Sequence, residues 1–256
     1  MRPQSLEEAW ELNQKKRNRV VAGMMWLKMG THSFNTAIDL CDLGLDAIEE
    51  TEGELRIGAM ATLRQMEKHP GLDVYSCGAV KAALRDIVGV QFRNGATLGG
   101  SLWRRMGFSD VVAIFLAMDS SVELFKGGVV PLEEFVCMPY DNDILVRLIV
   151  KKRPGAFAYQ AVRKQRTDLP TLNCAAAKVG EEYRVVVGSR PARAMLLRDE
   201  RGILAGGITE ESAAAFADYA AGAVPVSGNM WGSAEYRRAL VPVLVRRTLL
   251  ALGEVR

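Results

Sequence analysis

Fourteen residues near the middle of the chain constrain its architecture most: Val88-Gly-Val-Gln-Phe-Arg-Asn-Gly-Ala-Thr-Leu-Gly-Gly-Ser101. The segment reads as a glycine-rich loop. It has a counterpart at Val20-Val-Ala-Gly23, where a short buried strand runs into a glycine. Glycine at a turn lets backbone N–H groups approach an anion, and a hydroxyl such as that of Thr97 or Ser101 adds a donor. Two such loops brought together can straddle a pyrophosphate, although a single Gly-Gly pair is better explained as a tight turn. Neither GxxxxGK[ST] nor GxGxxG occurs in the chain, which argues against an ordinary P-loop or Rossmann site.

The scarce residues exclude further chemistry. Only His32 and His69 are available for a histidine-rich metal site, and Cys41, Cys77, Cys137 and Cys174 lie more than thirty positions apart. No CxxC pair is present for zinc or an iron–sulfur cluster. Redox chemistry is therefore expected to reside in a bound group. The net charge of +3, with basic and acidic residues interleaved, does not point to nucleic acid. The longest apolar stretch, Val111 to Met118, is far short of a bilayer span. The polar N-terminus has no apolar h-region. With scattered cysteines, these features lead us to expect a cytoplasmic protein.

A length of 256 residues allows one large domain or two modest ones, at about 100–200 residues each. Ser5 is placed to cap a first helix carrying Glu7 and Glu8, followed by a polar turn from Asn13 to Arg19. Strands are expected at Arg19–Gly23, Thr36–Leu40 and Glu54–Gly58. Thr62 caps a helix from Leu63 to His69 that Pro70 stops, and Val80–Ile87 has helical spacing. Asp110–Met118 reads as an apolar helix, Ser121–Phe125 as a strand and Gly127-Gly128 as a turn. A short helix at Pro131–Val136 and a buried strand at Ile144–Val150 follow. Pro154-Gly155 marks the domain boundary. Beyond it, three strands (Thr171–Val179, Arg184–Gly188, Ala192–Leu197) precede two helices (Thr209–Ala221, with Thr209 and Ser212 as a capping box, and Ser233–Leu252). Strands followed by helices make an α+β module.

Several motifs, in order, carry a resemblance. Arg93-Asn-Gly-Ala-Thr-Leu-Gly-Gly-Ser101, followed by Ser109-Asp110, resembles the RNxATxGGN…SD signature of the FAD-binding (medium) subunit of molybdenum hydroxylases, the family of xanthine dehydrogenase and carbon monoxide dehydrogenase. Ser5-Leu-Glu-Glu-Ala9, Ile57-Gly-Ala-Met-Ala-Thr-Leu63, Tyr159 to Asp168 and Gly232-Ser-Ala-Glu-Tyr-Arg-Arg238 are similar to its other motifs. The resemblance implies an α+β fold: two α/β subdomains of a vanillyl-alcohol-oxidase (PCMH)-type FAD-binding domain at 1–153 (about 1–55 and 56–153), then a C-terminal α+β domain with a three-stranded sheet at 156–256. It further implies an oxidoreductase subunit that passes electrons from an iron–sulfur subunit through FAD to NAD(P)+ or another acceptor, beside a molybdenum-cofactor subunit. By position, the flavin-contacting residues would be Val21, Ala22, Gly23, Met24, Met25 and Leu27 in the first loop. The second loop would supply Ala96, Thr97, Gly99, Gly100, Ser101 and Arg104, with Ser109, Asp110 and Leu145 beyond. Backbone N–H groups of both loops would hold the pyrophosphate. Asp110 would accept hydrogen bonds from the ribityl or ribose hydroxyls, while a helix N-cap is its plainer role.

The chain departs from the family at informative places. The first loop is usually AGGT or GGGT and here is Ala22-Gly-Met-Met25, so a threonine hydroxyl is lost and Met24 can fill phosphate space. Core filling is the simpler role for both methionines. Gln160 stands where some relatives carry a lysine near the flavin. Arg163 or Lys164 can replace it, or lie in a solvated turn. The alternative function is thus a flavin-free or weakly binding structural homologue, and a stand-alone flavin reductase of the same fold is a third. His69 is expected as a helix C-terminal cap, His32 as solvated and the cysteines as small core residues. Trp26, Trp103 and Trp231 are expected to serve packing or partner contact.

Overall fold

The computed structural model describes residues 1–31 and 33–255; the expectation for His32 lies outside them. Helix α1 (Leu6–Asn13) starts where the Ser5 hydroxyl accepts the Glu8 N–H. Strands β1 (Asn18–Val21) and β2 (Thr36–Asp39) form a two-stranded parallel sheet, joined through a 3₁₀ turn at Leu27–Met29. Strands β3 (Ile48–Glu50) and β4 (Glu54–Gly58) begin a larger sheet, so residue 55 lies inside a strand. Five helices follow: α2 (Leu63–Lys68), α3 (Pro70–Tyr75), α4 (Ala79–Leu84), α5 (Val90–Gly95) and α6 (Leu98–Trp103). Then come α7 (Asp110–Ala117), β5 (Ser121–Leu124), β6 (Gly128–Pro131), α8 (Leu132–Phe135) and β7 (Leu145–Lys151). The second sheet has the order β3-β4-β7-β5-β6 and is antiparallel in every pair.

The C-terminal part holds β8 (Gly155–Val162), β9 (Leu172–Val179), β10 (Glu182–Gly188), β11 (Met195–Arg198), α9 (Glu210–Ala223) and α10 (Ala234–Gly253). Its sheet, β11-β10-β9-β8, has four strands, not three. The extra strand is β8, which begins at the very glycine that reads as a boundary; Gly155 pairs with Val179. The strand-then-helix order holds, and the Thr209–Ser212 capping box forms as expected.

Both faces of this sheet are covered. Phe157, Tyr159, Ala175, Ala177 and Val186 join one core with Phe115, Leu84 and Leu148. On the other face Ala158, Cys174, Ala176, Val185 and Val187 pack with Phe216, Val245 and Leu249. The period-2 alternation of β9 is therefore apolar on both sides apart from Asn173 and Lys178, with an unbroken apolar run from Cys174 to Ala177. A third, smaller core gathers Ala9, Ile38, Leu40, Leu45, Ile144 and Val146 beneath the two-stranded sheet.

Three local expectations are corrected. Pro70 ends α2 but also opens α3 at its first position, where a missing N–H costs nothing. His69 is the C-cap of α2, as expected, and it also caps the start of α3, its Nδ1 accepting the Leu72 N–H at 3.1 Å. The glycine-rich segment is not one loop: it folds into α5 and α6 with a sharp turn at Ala96–Thr97. Short-range capping explains this, because Thr97 Oγ1 accepts the Gly100 N–H and starts a new helix despite two glycines.

The cysteines are the third correction. Cys41, Cys77 and Cys137 are exposed and only Cys174 is buried, where burial pushes its thiol up to about 12. In the native protein three thiols are therefore expected to react with a disulfide reagent within minutes. The fourth should react only after denaturant is added, and four fast thiols would show that β9 is not enclosed.

Candidate functional site

The two glycine segments meet in the fold. Gly23 packs so closely on α5 that a methyl group at its Cα would overlap the Gly95 carbonyl. The Met25 thioether lies on the Gly95 Cα. Trp26, 42 % exposed, reaches the segment before α7 and meets Phe108 at a ring-centroid distance of 5.7 Å. The first loop, the α5–α6 turn and residues 108–110 thus converge, and sequence order alone separates them.

Met24 has φ +53, in the left-handed region that favours glycine. The loop therefore keeps the backbone shape expected of a glycine there, with a side chain that is 43 % exposed and no core filler. Met25 is only half-buried. Among the described residues, the N–H groups of Gly23, Met24 and Met25 donate to no protein acceptor. Three successive N–H groups on this loop therefore have no acceptor among the described residues and are available to an anion. Val21 is buried at the end of β1, Ala22 is half-buried, and Leu27 lies in the 3₁₀ turn.

The second loop contributes fewer donors than its glycines suggest. The Leu98 N–H donates to Ala61 O at 2.9 Å and the Gly99 N–H to Ala59 O at 2.8 Å. The Gly100 N–H is taken by Thr97 Oγ1, and Ser101 Oγ donates to Thr97 O at 2.9 Å. The Gly99 and Gly100 N–H groups are thus committed within the protein. Gly99 serves close packing instead, since a Cβ there would sit 2.8 Å from Ala59 O. The Thr97 N–H has no acceptor among the described residues, the Ala96 N–H is held by Phe92 O, and the Arg104 side chain is exposed. Arg93, first residue of the same motif, is structural: it is buried against Glu67 at 2.8 Å and donates to Ile87 O at 3.1 Å.

Asp110 is not an N-cap. Ser109 caps α7 through the Val112 N–H at 3.2 Å, and Asp110 follows as the first helical residue. Its carboxylate is buried and meets three groups from the C-terminal part. Oδ1 accepts from Tyr159 Oη and from Asn173 Nδ2 at 3.0 Å, and Oδ2 pairs with Arg163 Nη2 at 2.9 Å. Burial, reinforced by the Asp110 charge, pushes the Tyr159 phenol well above its usual range. Burial opposes the charge on Arg163, but Asp110 outweighs it and raises the guanidinium pKa. Arg163 is therefore no solvated-turn residue. Lys164 is exposed and donates to Met230 O at 3.1 Å. Gln160 faces the α10 side, donating to Arg247 O at 3.4 Å, away from the core that holds Tyr159. Leu145 is buried in the core shared by the two larger sheets. Trp103 packs against Phe135 at 5.9 Å.

Sequence reasoning also overlooked Arg237. It is 1 % exposed, and it forms no ion pair among the described residues. It donates to Thr171 O (2.8 Å), Ser227 O (2.9 Å), Gly232 O (2.6 Å) and Asn229 Oδ1 (2.7 Å). The signal was present in the motif Gly232–Arg238, but nothing in its spacing says which arginine turns inward.

Residues 1–152 match the family described as the FAD binding domain in molybdopterin dehydrogenase. Residues 157–252 match the CO dehydrogenase flavoprotein C-terminal domain. The chain belongs to the FAD-binding subunits of the molybdenum hydroxylase family.

The nicotine 6-hydroxylase medium subunit of Paenarthrobacter nicotinovorans is 26% identical over 98% of this chain and 95% of its own length. The uncharacterized protein YgfM of Escherichia coli (strain K12) is 27% identical over 95% of this chain and 92% of its own. The fold is shared with carbon monoxide dehydrogenase from Hydrogenophaga pseudoflava (TM-score 0.86, 23% identity, 98% of this chain and 95% of that one). It is shared equally with reconstituted CO dehydrogenase from Oligotropha carboxidovorans (TM-score 0.87, 21% identity, 100% and 97%). FAD is the cofactor of this family's domain, and the unpaired donors of the first loop suit its pyrophosphate. Among the described residues no cluster of His, Cys, Asp and Glu is arranged for a metal ion, and no helix is long and apolar enough to cross a membrane.

Proposed function

We propose that this chain is the FAD-binding electron-transfer subunit of a cytoplasmic molybdenum hydroxylase complex. It takes electrons from an iron–sulfur subunit and delivers them to NAD(P)+ or another acceptor, with a separate molybdenum-cofactor subunit acting on the substrate. The observation that carries the reading is the packing of the first loop on the end of α5, with N–H groups at Gly23, Met24, Met25 and Thr97 that have no acceptor among the described residues. When bound, FAD supplies the redox chemistry, and the protein sets its orientation and surroundings. The first-loop N–H groups and that of Thr97 would hold the pyrophosphate, with Arg104 free to approach it. Ala22, Leu27 and Ala96 would line the same place, and Val21 and Leu145 would support it from the core.

The purified chain is expected to be yellow, or to gain flavin absorbance with one equivalent of FAD. A colourless protein that gains none overturns the reading. With the whole complex reduced by its substrate, the acceptor is identified by whether NAD(P)+ or only an artificial dye is reduced.

A second reading, a flavin-free structural homologue, is favoured by the Met25 thioether lying across Gly95. Replacing both departures (Met24→Gly with Met25→Thr) separates the two. Under the first reading FAD affinity changes less than about tenfold, since Met24 already has the glycine-like φ and a tenfold change is only about 1.4 kcal/mol. Binding that appears in the double variant alone supports the second.

A further inference from the structure

We propose that Asp110 is a clamp between the FAD-binding part and the C-terminal part of the chain, and that it does not bind flavin hydroxyls. Both of its oxygens are engaged: Oδ1 by Tyr159 and Asn173, Oδ2 by Arg163. All three partners lie beyond residue 153, on β8, just after it and on β9. The group is dry, with Asp110 at 5 % and Asn173 at 0 % exposure. Three of the about four acceptor sites of this carboxylate are filled by a guanidinium and two neutral donors, and its burial leaves a flavin hydroxyl no open approach to the remaining one.

The clamp is braced from both sides. Ser109 fixes the start of α7. The Ser189 N–H donates to Gly107 O at 2.7 Å, a second bond across the same seam. Gly188 packs so closely on Asn173 Oδ1 that any larger residue would push the amide off Asp110. Two residues before Asp110, Phe108 supports Trp26 of the first loop. The clamp thereby positions the flavin loop through the backbone, and Asp110 and Arg163 act on it as one unit. This consequence rests on the functional reading above, whereas the clamp itself does not.

The test is a double-mutant cycle in the full chain with Asp110→Asn and Arg163→Met, read by thermal unfolding and by FAD titration. Each single change is expected to lower Tm by about 10 °C, because it strands a buried partner. The double variant should be at least as stable as the weaker single one. The two single changes should alter FAD affinity by factors that agree within about threefold, and the double variant should add nothing further. Tyr159→Phe, which removes only the hydroxyl, covers the case in which a charge variant fails to fold; the loss of that one hydrogen bond should lower Tm by a few degrees. The proposal is overturned if Asp110→Asn abolishes FAD binding while Arg163→Met does not. It is equally overturned if Tm is unmoved in Asp110→Asn or the two stability losses simply add. If the wild-type chain takes up no FAD, the functional reading fails while the Tm cycle still decides the clamp.

Discussion

Replacing Gly23 by alanine should disable the site, and replacing Gly95 should not, although the two residues touch. A methyl group on Gly23 would run into the backbone carbonyl of Gly95. Neither strand of that contact can turn aside, so the first loop must lift off α5. Overpacking of this kind costs about 1–3 kcal/mol. If the loop's N–H groups hold the pyrophosphate as proposed, FAD affinity should fall by about tenfold or more. A methyl group on Gly95 meets only the tip of the Met25 side chain, which has rotamers to spare. Alanine also suits the last turn of a helix better than glycine by up to about 1 kcal/mol. Gly95→Ala should therefore leave both Tm and FAD affinity near wild type. Equal losses in the two variants would mean that the loops do not approach as described.

The second large effect is expected at Arg237. Truncation to alanine takes the side-chain donor from Thr171 O and Ser227 O, leaves Gly232 O and Asn229 Oδ1 with only the Asn229 and Trp231 N–H groups, and opens a cavity in a position 1 % exposed. Each stranded buried acceptor costs about 1–3 kcal/mol, and such losses are not additive. A total on the order of 4 kcal/mol is expected, near the upper end for a single substitution. Calorimetry should show a Tm lower by roughly 10 °C. Arg237→Lys should fall between, since one ammonium cannot reach four acceptors held in a guanidinium's plane. A Tm within two or three degrees of wild type in Arg237→Ala, about what 1 kcal/mol gives in a chain this size, would show that the loop at 227–232 does not depend on it.

The strong signals in the sequence were local ones. Caps at Ser5, Thr62 and Thr209 and the apolar run at 111–118 define their helices because the information lies within a turn or two. The convergence of the glycine segments is a different matter. Nothing near Gly23 records that it must lack a side chain because the Gly95 carbonyl lies against it. The motifs point to a group of residues without sorting their duties. Arg93 and Arg237 turned out to be buried fasteners, while the Gly99 and Gly100 N–H groups were already spent on Ala59 and Thr97. Such sorting depends on which way a side chain or N–H points, and that is decided by packing between distant segments. The missed strand β8 illustrates the same limit: Gly155 punctuates the sequence strongly, yet its pairing with Val179 continues a sheet.

That sheet has a consequence for how such a chain can change over time. The alanines of β9 alternate between two cores, Ala175 and Ala177 in one and Ala176 in the other. A substitution that enlarges one of them is felt only on its own side, but no shift of register can relieve it without exchanging the two linings. The central strand is therefore frozen at small residues, and the two halves of the polypeptide are obliged to drift together.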